Sequence, residues 1–285
     1  TFMMAIGGHT VEHFFAGLYA HADIEADPTS AGRQMGGHFT THSLDENGEW
    51  KNLLKQKNSS SDISCTAGQM PRLLGLAQAS KVYRALPNAA AEGFSDHGNE
   101  VAWGTIGNAS TSEGHFFETL NAAGVMQVPM VMSVWDDEYG ISVPKEYHTT
   151  KESISEVMKG FVRDNKHAGI ELMVVNGWDY PSLYEAYQKA AAIAREQHVP
   201  VLVHVRELTQ PQGHSTSGSH ERYKSAERLE WEKEFDCISK MREWILASGY
   251  ATEEELATIE QQAKKRVKDL SLIHISEPTR LGMIS

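Results

Sequence analysis

The chain has 285 residues, of which 40% are hydrophobic and 22% are charged, so it is long enough to bury a full core as one large or two small globular domains. Its formal net charge is −12, and it has no long run of Lys or Arg. This charge argues against nucleic acid or an anionic membrane surface as the main partner.

Cysteine usage and hydropathy exclude further classes. Cys65 and Cys237 lie far apart in sequence, which indicates neither a disulfide scaffold nor a Cys-x-x-Cys zinc site. No stretch approaches the roughly twenty apolar residues that cross a bilayer, and the first residues lack a signal-peptide pattern. We therefore expect a cytoplasmic protein in a reducing compartment.

The first half of the chain predicts a βαβ unit. Helices are expected within residues 10–22 (TVEHFFAGLYAHA) and 71–84. Residues 100–106 (EVAWGTI) predict a strand, residues 113–126 a helix with apolar residues at helical spacing, and residues 128–135 (VPMVMSVW) a second buried strand. The crossover between two such strands is right-handed, so the two strands are expected to be parallel.

The same alternation continues in the second half. Helices are expected at residues 153–166 and 181–197, and strands at residues 170–175 and 199–205. Together these elements predict an α/β fold with a doubly wound, mostly parallel sheet and helices on both faces. In such folds ligands bind at the carboxyl ends of the strands.

Two stretches, residues 28–64 and 207–225, are long, polar and irregular, which is typical of functional loops. Residues from 226 onwards are expected to form strongly charged helices, one in AERLEWEKEFDCISKMREWILA and one in TEEELATIEQQAKKRVKD. We expect one α/β domain over residues 1–225, truncated at its N-terminus, followed by a charged helical extension over residues 226–269.

Residues 270–285 (LSLIHISEPTRLGMIS) are expected not to be native. The first eleven residues match the in-frame translation of a transposase-type sequencing adapter, and the remainder fits an index and the next adapter segment. We therefore exclude this stretch from functional reasoning.

The segment GNASTSEGH, residues 107–115, carries the strongest chemical signal because it joins a strand to a helix. Ser110 and Glu113 predict a capping box at the start of that helix, where an anion is stabilised. Asn108 stands at the strand tip, and Asp136 and Asp137 follow the neighbouring strand. Oxygen ligands next to a diphosphate suit magnesium, although a turn Asn with a solvated Asp pair would have the same residue types.

The run from GNASTSEGH to DDEYGISVP resembles the thiamine diphosphate motif of alpha subunits of 2-oxo acid dehydrogenases, G-D-G-A-x-S/N-E/Q-G followed by N-N-x-Y-G/A-I-S. Outside it, GRQMGGHF is similar to the family's G-R-G-G-S-M-H, SCTAGQMP to G-x-V-G-x-Q-x-P, and QGHSTS to H-G-H-S-x-S-D. These segments occur in the family's order over residues 32–217. The resemblance implies the thiamine diphosphate-binding fold, of the domain that holds the pyrophosphate.

The resemblance also implies site residues. Asn108, Asp137 and the Tyr139 carbonyl would bind Mg²⁺, with Asn108 in place of the family's Asp and Asp137 in place of its Asn. This exchange retains one carboxylate and one amide. The residues matching cofactor-contact positions are Ser64, Thr66, Gly107, Asn108, Ala109, Ser110, Glu113, Tyr139 and His214. Ser64 replaces a Gly of the family, which puts its contact in doubt.

Two histidines are the catalytic candidates. His214 matches the loop histidine that faces the diphosphate and the reacting centre, and His38 matches the His of the S-M-H segment. Without the resemblance, a solvent-exposed loop residue is the favoured interpretation of His214. Gly218 replaces the family's Asp after HSTS, so the resemblance does not imply that this loop is structurally ordered.

As a function, the resemblance implies oxidative decarboxylation of a 2-oxo acid and acyl transfer to a lipoyl group. The partners would be a beta-type subunit or fused beta half, a lipoyl-bearing acyltransferase and further copies in an oligomer. Three alternatives are a transketolase-like enzyme or carboligase using the same cofactor, a dinucleotide-binding domain, and a noncatalytic module of the same fold. The dinucleotide-binding alternative is disfavoured because no G-x-G-x-x-G follows a strand.

Overall fold

The computed structural model of the chain describes residues 8–33, 40–60, 63–87, 91–214 and 219–276. The chain divides into two compact units, one comprising Thr1–Ser64 with Ser248–Ser285 and the other comprising Cys65–Ala247. The predicted division at residues 225 and 269 does not coincide with these units and stays a prediction.

Within the described residues, the larger unit is built on a sheet of four parallel strands in the order β1-β2-β6-β5. The strands are β1 (Ala102–Gly107), β2 (Met130–Trp135), β5 (Glu171–Asn176) and β6 (Val201–Arg206). In β2 and β6 every residue except the last is buried, as expected of strands covered on both faces. The predicted α/β class is confirmed, and each strand begins one or two residues later than predicted. A short antiparallel pair, β3 (Tyr139–Gly140) and β4 (Val143–Pro144), follows β2.

Helices cover both faces of the sheet because successive strand side chains point to opposite faces. On one face, α2 (Met70–Ala85) and α3 (Gly114–Met126) share a core with Met130, Met132 and Val134. On the other, α5 (Tyr180–Gln197) packs with Val131 and Val203. This is the predicted doubly wound arrangement, and it leaves the carboxyl ends of the strands for a site.

The helix predicted at residues 153–166 is much shorter. It consists of α4 (Ile154–Met158) and a 3-10 turn, Lys159–Phe161. Beyond it the backbone pairs with the chain that enters β5: Arg163 N–H donates to the Ile170 carbonyl at 3.0 Å, and Ile170 N–H donates to the Phe161 carbonyl at 2.9 Å. This strand-like pairing prevents the helix from continuing.

The first of the predicted charged segments, residues 226–247, forms two helices rather than one. These are α6 (Ala226–Glu234) and α7 (Cys237–Ala247). Phe235 leaves the helix and stacks on Trp231, while the Asp236 side chain accepts a hydrogen bond from Ser239 N–H at 2.8 Å. Asp236 therefore starts a new helix where the charge pattern predicted continuity.

The smaller unit contains α1 (Val11–Leu18), which begins at the capping residue Thr10, and α8 (Glu253–Ser276). Arg266 of α8 donates two hydrogen bonds of 2.7 Å to the carboxylate of Glu12 in α1. The helix α8 extends into the stretch that we expected not to be native. In the described part of the chain, no helix combines the length and the apolar character that crossing a membrane requires.

Candidate functional site

The polar residues that follow β1 and β2 lie at the carboxyl edge of the sheet. Asn108 N–H donates to the Trp135 carbonyl at 3.0 Å, and Asp136 N–H donates to the Val205 carbonyl at 2.9 Å. The parallel ladder therefore extends one residue beyond both strands before the chain turns away. Asn108 and Asp136 are thus brought to the same edge, as the predicted βαβ unit requires.

The Asn108 side chain is buried at this edge without a complete set of partners. The residue is 4% exposed, and its Nδ2 has no hydrogen-bond partner among the described residues. A buried polar group left unpaired costs about 1–3 kcal/mol, so such groups in native proteins call for an explanation. A ligand at this position would explain the arrangement, because the amide can turn its oxygen or its nitrogen towards it.

The predicted capping box of Ser110 and Glu113 is wrong. Ser110 lies inside a 3-10 turn, Ala109–Ser112, and α3 begins after Glu113 without a side-chain cap. The turn is stabilised by Thr111, whose N–H and hydroxyl both donate to the Asn108 carbonyl, at 3.1 and 2.6 Å. Ser110 is therefore helical, whereas a capping residue must be extended. In such a turn the first amides have no acceptor within the turn, so Ala109 and Ser110 stay the predicted diphosphate contacts.

Ala109 and Gly140 bring the two halves of the motif together. A Cβ built on Gly140 would lie 2.7 Å from the Cβ of Ala109, closer than two carbon atoms pack. Glycine at residue 140 is therefore what allows β3 to approach the turn after β1. At Gly107, in contrast, the nearest atom to a built Cβ is the Ser110 Oγ at 3.9 Å, so space does not require a glycine there.

Asp136 is held by groups within the protein. Its Oδ2 lies 2.8 Å from Nε2 of His204, which is 1% exposed, and its Oδ1 accepts from Glu138 N–H at 2.8 Å. Burial alone would raise the pKa of Asp136, but these two hydrogen bonds hold the pKa of the carboxyl below its usual value. Because both oxygens are occupied, Asp136 supports the end of β2, and Asp137 stays the predicted ligand.

Asp137 is partly buried, and no Lys, Arg or His among the described residues forms a hydrogen bond with its carboxylate. Its Oδ1 accepts from Tyr139 N–H at 3.1 Å. Burial raises the pKa of Asp137 above its usual value, while the Tyr139 hydrogen bond and the charge of Lys224 act in the opposite direction. A divalent cation beside this carboxylate would favour its charged form.

A charge network that the sequence analysis missed adjoins this stretch. We define it as Glu138, Lys145, Lys224, Arg228 and Glu232. Arg228 forms ion pairs with Glu138 and Glu232, and its Nη2 donates to the Asp137 carbonyl at 3.0 Å. Lys145 pairs with Glu138, and Lys224 pairs with Glu232 at 2.7 Å. The side chains of Lys224 and Glu232 are 1% and 5% exposed, so this pair is desolvated.

The aromatic ring of Tyr139 packs against the same network. Lys224 Nζ lies 4.9 Å and Arg228 Cζ 5.5 Å from the ring centroid, within cation–π range. Burial raises the pKa of Tyr139 above its usual value. The ring faces Lys224 and Arg228, so these contacts hold the Tyr139 side chain. The role of its backbone carbonyl stays a prediction.

The other predicted site residues are exposed or lie outside the described residues. His214 is exposed in the loop after β6, and Glu113 is exposed before α3. Thr66 is exposed in a turn before α2, and Ser64 belongs to the other compact unit. His38 lies outside the described residues. The roles assigned to these residues stay predictions.

Among the described residues, no group of three or more His, Cys, Asp and Glu side chains could hold a metal ion by itself. The predicted set of one carboxylate, one amide and one carbonyl is of a different kind, because diphosphate oxygens would complete it. The Asn108 side chain, whose buried Nδ2 has no partner among the described residues, and the partly buried Asp137 carboxylate have the chemistry of oxygen ligands for Mg²⁺.

Comparison with known proteins gives a match over most of the chain. The family model described as "Dehydrogenase E1 component" matches residues 6–278. The pyruvate dehydrogenase E1 component subunit alpha of Rickettsia bellii (strain RML369-C) is 29% identical over 171 residues, which is 60% of this chain and 50% of the relative.

Two further relatives are named for another 2-oxo acid. The mitochondrial 2-oxoisovalerate dehydrogenase subunit alpha 2 of Arabidopsis thaliana is 30% identical over 68% of this chain and 40% of its own length. The 2-oxoisovalerate dehydrogenase subunit alpha of Bacillus subtilis (strain 168) is 28% identical over 80% of this chain and 59% of its own length. The chain spans about half the length of the curated relatives it matches.

Proposed function

The chain belongs to the dehydrogenase E1 component family, and on this premise we propose that it is the alpha-type part of a 2-oxo acid dehydrogenase. In this proposal it binds the diphosphate of thiamine diphosphate through Mg²⁺ at the carboxyl edge of β1 and β2. The observation that carries the proposal is the buried Asn108 side chain, whose Nδ2 finds no hydrogen-bond partner in the described part of the chain and which lies at the same sheet edge as the Asp136–Asp137 stretch.

The metal ligands in this proposal are Asn108, Asp137 and the Tyr139 carbonyl. One carboxylate and one amide give the same net charge as the family's Asp and Asn, so the positions can exchange without changing the electrostatic balance. Both oxygens of Asp136 already have a partner, His204 Nε2 and Glu138 N–H, so we assign Asp136 to holding this stretch on the sheet and Asp137 to the metal. The amides of Ala109 and Ser110 would face the diphosphate, supported by the close packing of Ala109 on Gly140.

Thiamine diphosphate, when bound, supplies the nucleophilic carbon and the electron sink for loss of carbon dioxide from a 2-oxo acid. The residues of this chain would hold and orient the diphosphate. His214 and His38 are the residues that we propose to reach the reacting centre, and Thr66 and Ser64 those beside the aminopyrimidine ring. Asp136 and His204 would keep the metal-binding stretch attached to the sheet.

The partners follow from the family and are part of the proposal. A beta-type chain would complete the active site, and a lipoyl-bearing acyltransferase would accept the acyl group. The relatives are named for pyruvate and for 2-oxoisovalerate, so we propose a 2-oxo acid as the substrate. An oligomer in the cytoplasm is the expected form.

Titration calorimetry with thiamine diphosphate, in the presence of Mg²⁺ and again with a chelator, tests the binding function. We expect binding that depends on Mg²⁺. Decarboxylation should require addition of a beta-type chain and should occur with a 2-oxo acid. Turnover of a sugar phosphate instead would identify a transketolase-like enzyme, and absence of cofactor binding with or without the beta-type chain would identify a noncatalytic module.

A further inference from the structure

The charge network connects α6 to the predicted metal-binding stretch. Arg228 lies in the first turn of α6, and its guanidinium reaches three acceptors: the Glu138 carboxylate, the Asp137 carbonyl and the Glu232 carboxylate. Two of these acceptors belong to the stretch Asp137–Tyr139. A planar guanidinium can satisfy several acceptors in one plane, whereas a Lys ammonium is a single point charge.

The same stretch also holds the beginning of the segment that carries His214. Leu208 N–H, just after β6, donates to the Asp136 carbonyl at 3.1 Å. At the other end of the segment, Lys224 pairs with Glu232 directly before α6, and its Nζ lies 4.9 Å from the Tyr139 ring. We call residues 208–224 the His214 segment. Both of its ends therefore lie beside residues 136–139.

We propose that Arg228 is a positioning residue that fixes the Asp137–Tyr139 stretch and the end of the His214 segment against each other. The inference rests on the proposed function, in which these two segments meet the cofactor. The three basic members of the network face two carboxylates, Glu138 and Glu232, with the Asp137 carboxylate close by. The network as defined carries three positive and two negative charges, and Arg228 is the member that spans it, because it pairs with both carboxylates.

The test compares Arg228→Lys, Arg228→Gln and the double variant Glu138→Gln/Arg228→Gln in the full chain. Arg228→Lys keeps the charge but cannot bridge three acceptors. The double variant removes one charge of each sign, so the net charge of the network stays the same, and the buried Glu232 keeps its pair with Lys224. Arg163→Gln is the matched control, because Arg163 pairs with Glu171 at 3.0 Å within the same unit but away from this stretch.

Two measurements are needed. Hydrogen–deuterium exchange of the Glu138 and Tyr139 amides reports the stretch itself without cofactor; both amides now donate to aspartate side chains, at 2.8 and 3.1 Å. The affinity for thiamine diphosphate reports the consequence for binding. It is measured with Mn²⁺ in place of Mg²⁺, using the relaxation of water protons as the signal. We expect Arg228→Lys to accelerate exchange and to weaken binding, each by about tenfold, and Arg163→Gln to change neither.

Faster exchange with unchanged cofactor affinity would overturn the proposal, because Arg228 would then be only structural. Wild-type exchange in Arg228→Lys would overturn it as well. If the wild-type chain binds no cofactor even with a beta-type chain, the proposed function fails, and the exchange comparison still decides whether Arg228 holds the stretch.

Discussion

Ala109 and Gly140 are in contact across the site, and the contact leaves no room for a methyl group on Gly140, whose built Cβ would lie 2.7 Å from the Ala109 Cβ. Ala109 follows β1 and Gly140 follows β2, so this contact sets how closely the turn that would hold the diphosphate approaches the stretch that would hold the metal.

The contact predicts that Gly140→Ala is destabilising and weakens cofactor binding. Overpacking of this kind costs about 1–3 kcal/mol, measurable by urea denaturation. The variant Ala109→Gly/Gly140→Ala removes the clash and should recover most of the loss. Gly75→Ala is the control, since a Cβ there meets nothing within 4 Å and a helix favours Ala over Gly. Equal stabilities of Gly140→Ala and the wild type would contradict the packing argument.

The exchange of metal ligands gives a second prediction. Asp137→Asn leaves two amides, so Mg²⁺ loses its charged protein ligand. Affinity for thiamine diphosphate should fall more than tenfold, which corresponds to more than about 1.4 kcal/mol. The double swap Asn108→Asp/Asp137→Asn restores one carboxylate and should recover most of the affinity. Calorimetry at a fixed Mg²⁺ concentration measures the thiamine diphosphate affinity of the wild type, the single variant and the double swap. If the double swap binds no more tightly than the single variant, this ligand assignment is excluded.

The fold could be predicted because its signals are local. The apolar runs that became β2 and β6 are buried at all but their last residues, and alternating strands and helices permit few topologies. The same reasoning placed Asn108 and the Asp136–Asp137 pair at one sheet edge. A prediction of strand ends was therefore enough to locate the candidate site.

The support of Asp136 by His204 and the charge network around Arg228 could not be predicted, because they depend on contacts between residues far apart in sequence. His204 and Asp136 are separated by 68 residues, and Arg228 and Glu138 by 90. A single His within the apolar strand VLVHVR is a signal that could have indicated a buried partner. Nothing comparable distinguishes Arg228 from the other charges of α6, because only the folded chain shows which of them is buried.

A third prediction concerns Asp27 in the smaller unit. Asp27 is fully buried and accepts hydrogen bonds from both hydroxyls and both amides of Thr29 and Ser30 and from Gly32 N–H. Burial alone would raise the pKa of Asp27, but these bonds hold it well below the usual value of 3.8.

Because the folded-state pKa of Asp27 is lowered, its ionisation stabilises the fold above about pH 3.8, and this contribution is lost as the pH falls further. Asp27→Asn should lower the free energy of unfolding by about 2 kcal/mol at pH 7 and by less at pH 3 and below. Chemical denaturation at several pH values checks this. The exposed Asp23→Asn is the control, and a difference between Asp27→Asn and wild type that does not change with pH would contradict the prediction.

The last prediction concerns the pair formed by Asp136 and His204. The pKa of Asp136 lies below its usual value of 3.8, so the carboxylate is charged at neutral pH and His204 Nε2 donates to it. His204→Leu leaves a buried carboxylate without this donor, which should cost about 3 kcal/mol of unfolding free energy at pH 7.

The sign of the pH dependence follows from the lowered pKa of Asp136. Its stabilising contribution is present above the unfolded-state value of 3.8 and is lost as the pH falls through the lower folded-state value. The gap in stability between His204→Leu and wild type should therefore be largest near pH 7 and narrow below about pH 4. His204→Gln keeps an N–H donor near the position of Nε2 and should recover part of the loss. If Gln and Leu are equally destabilising at pH 7, the hydrogen bond to Asp136 is not what His204 contributes.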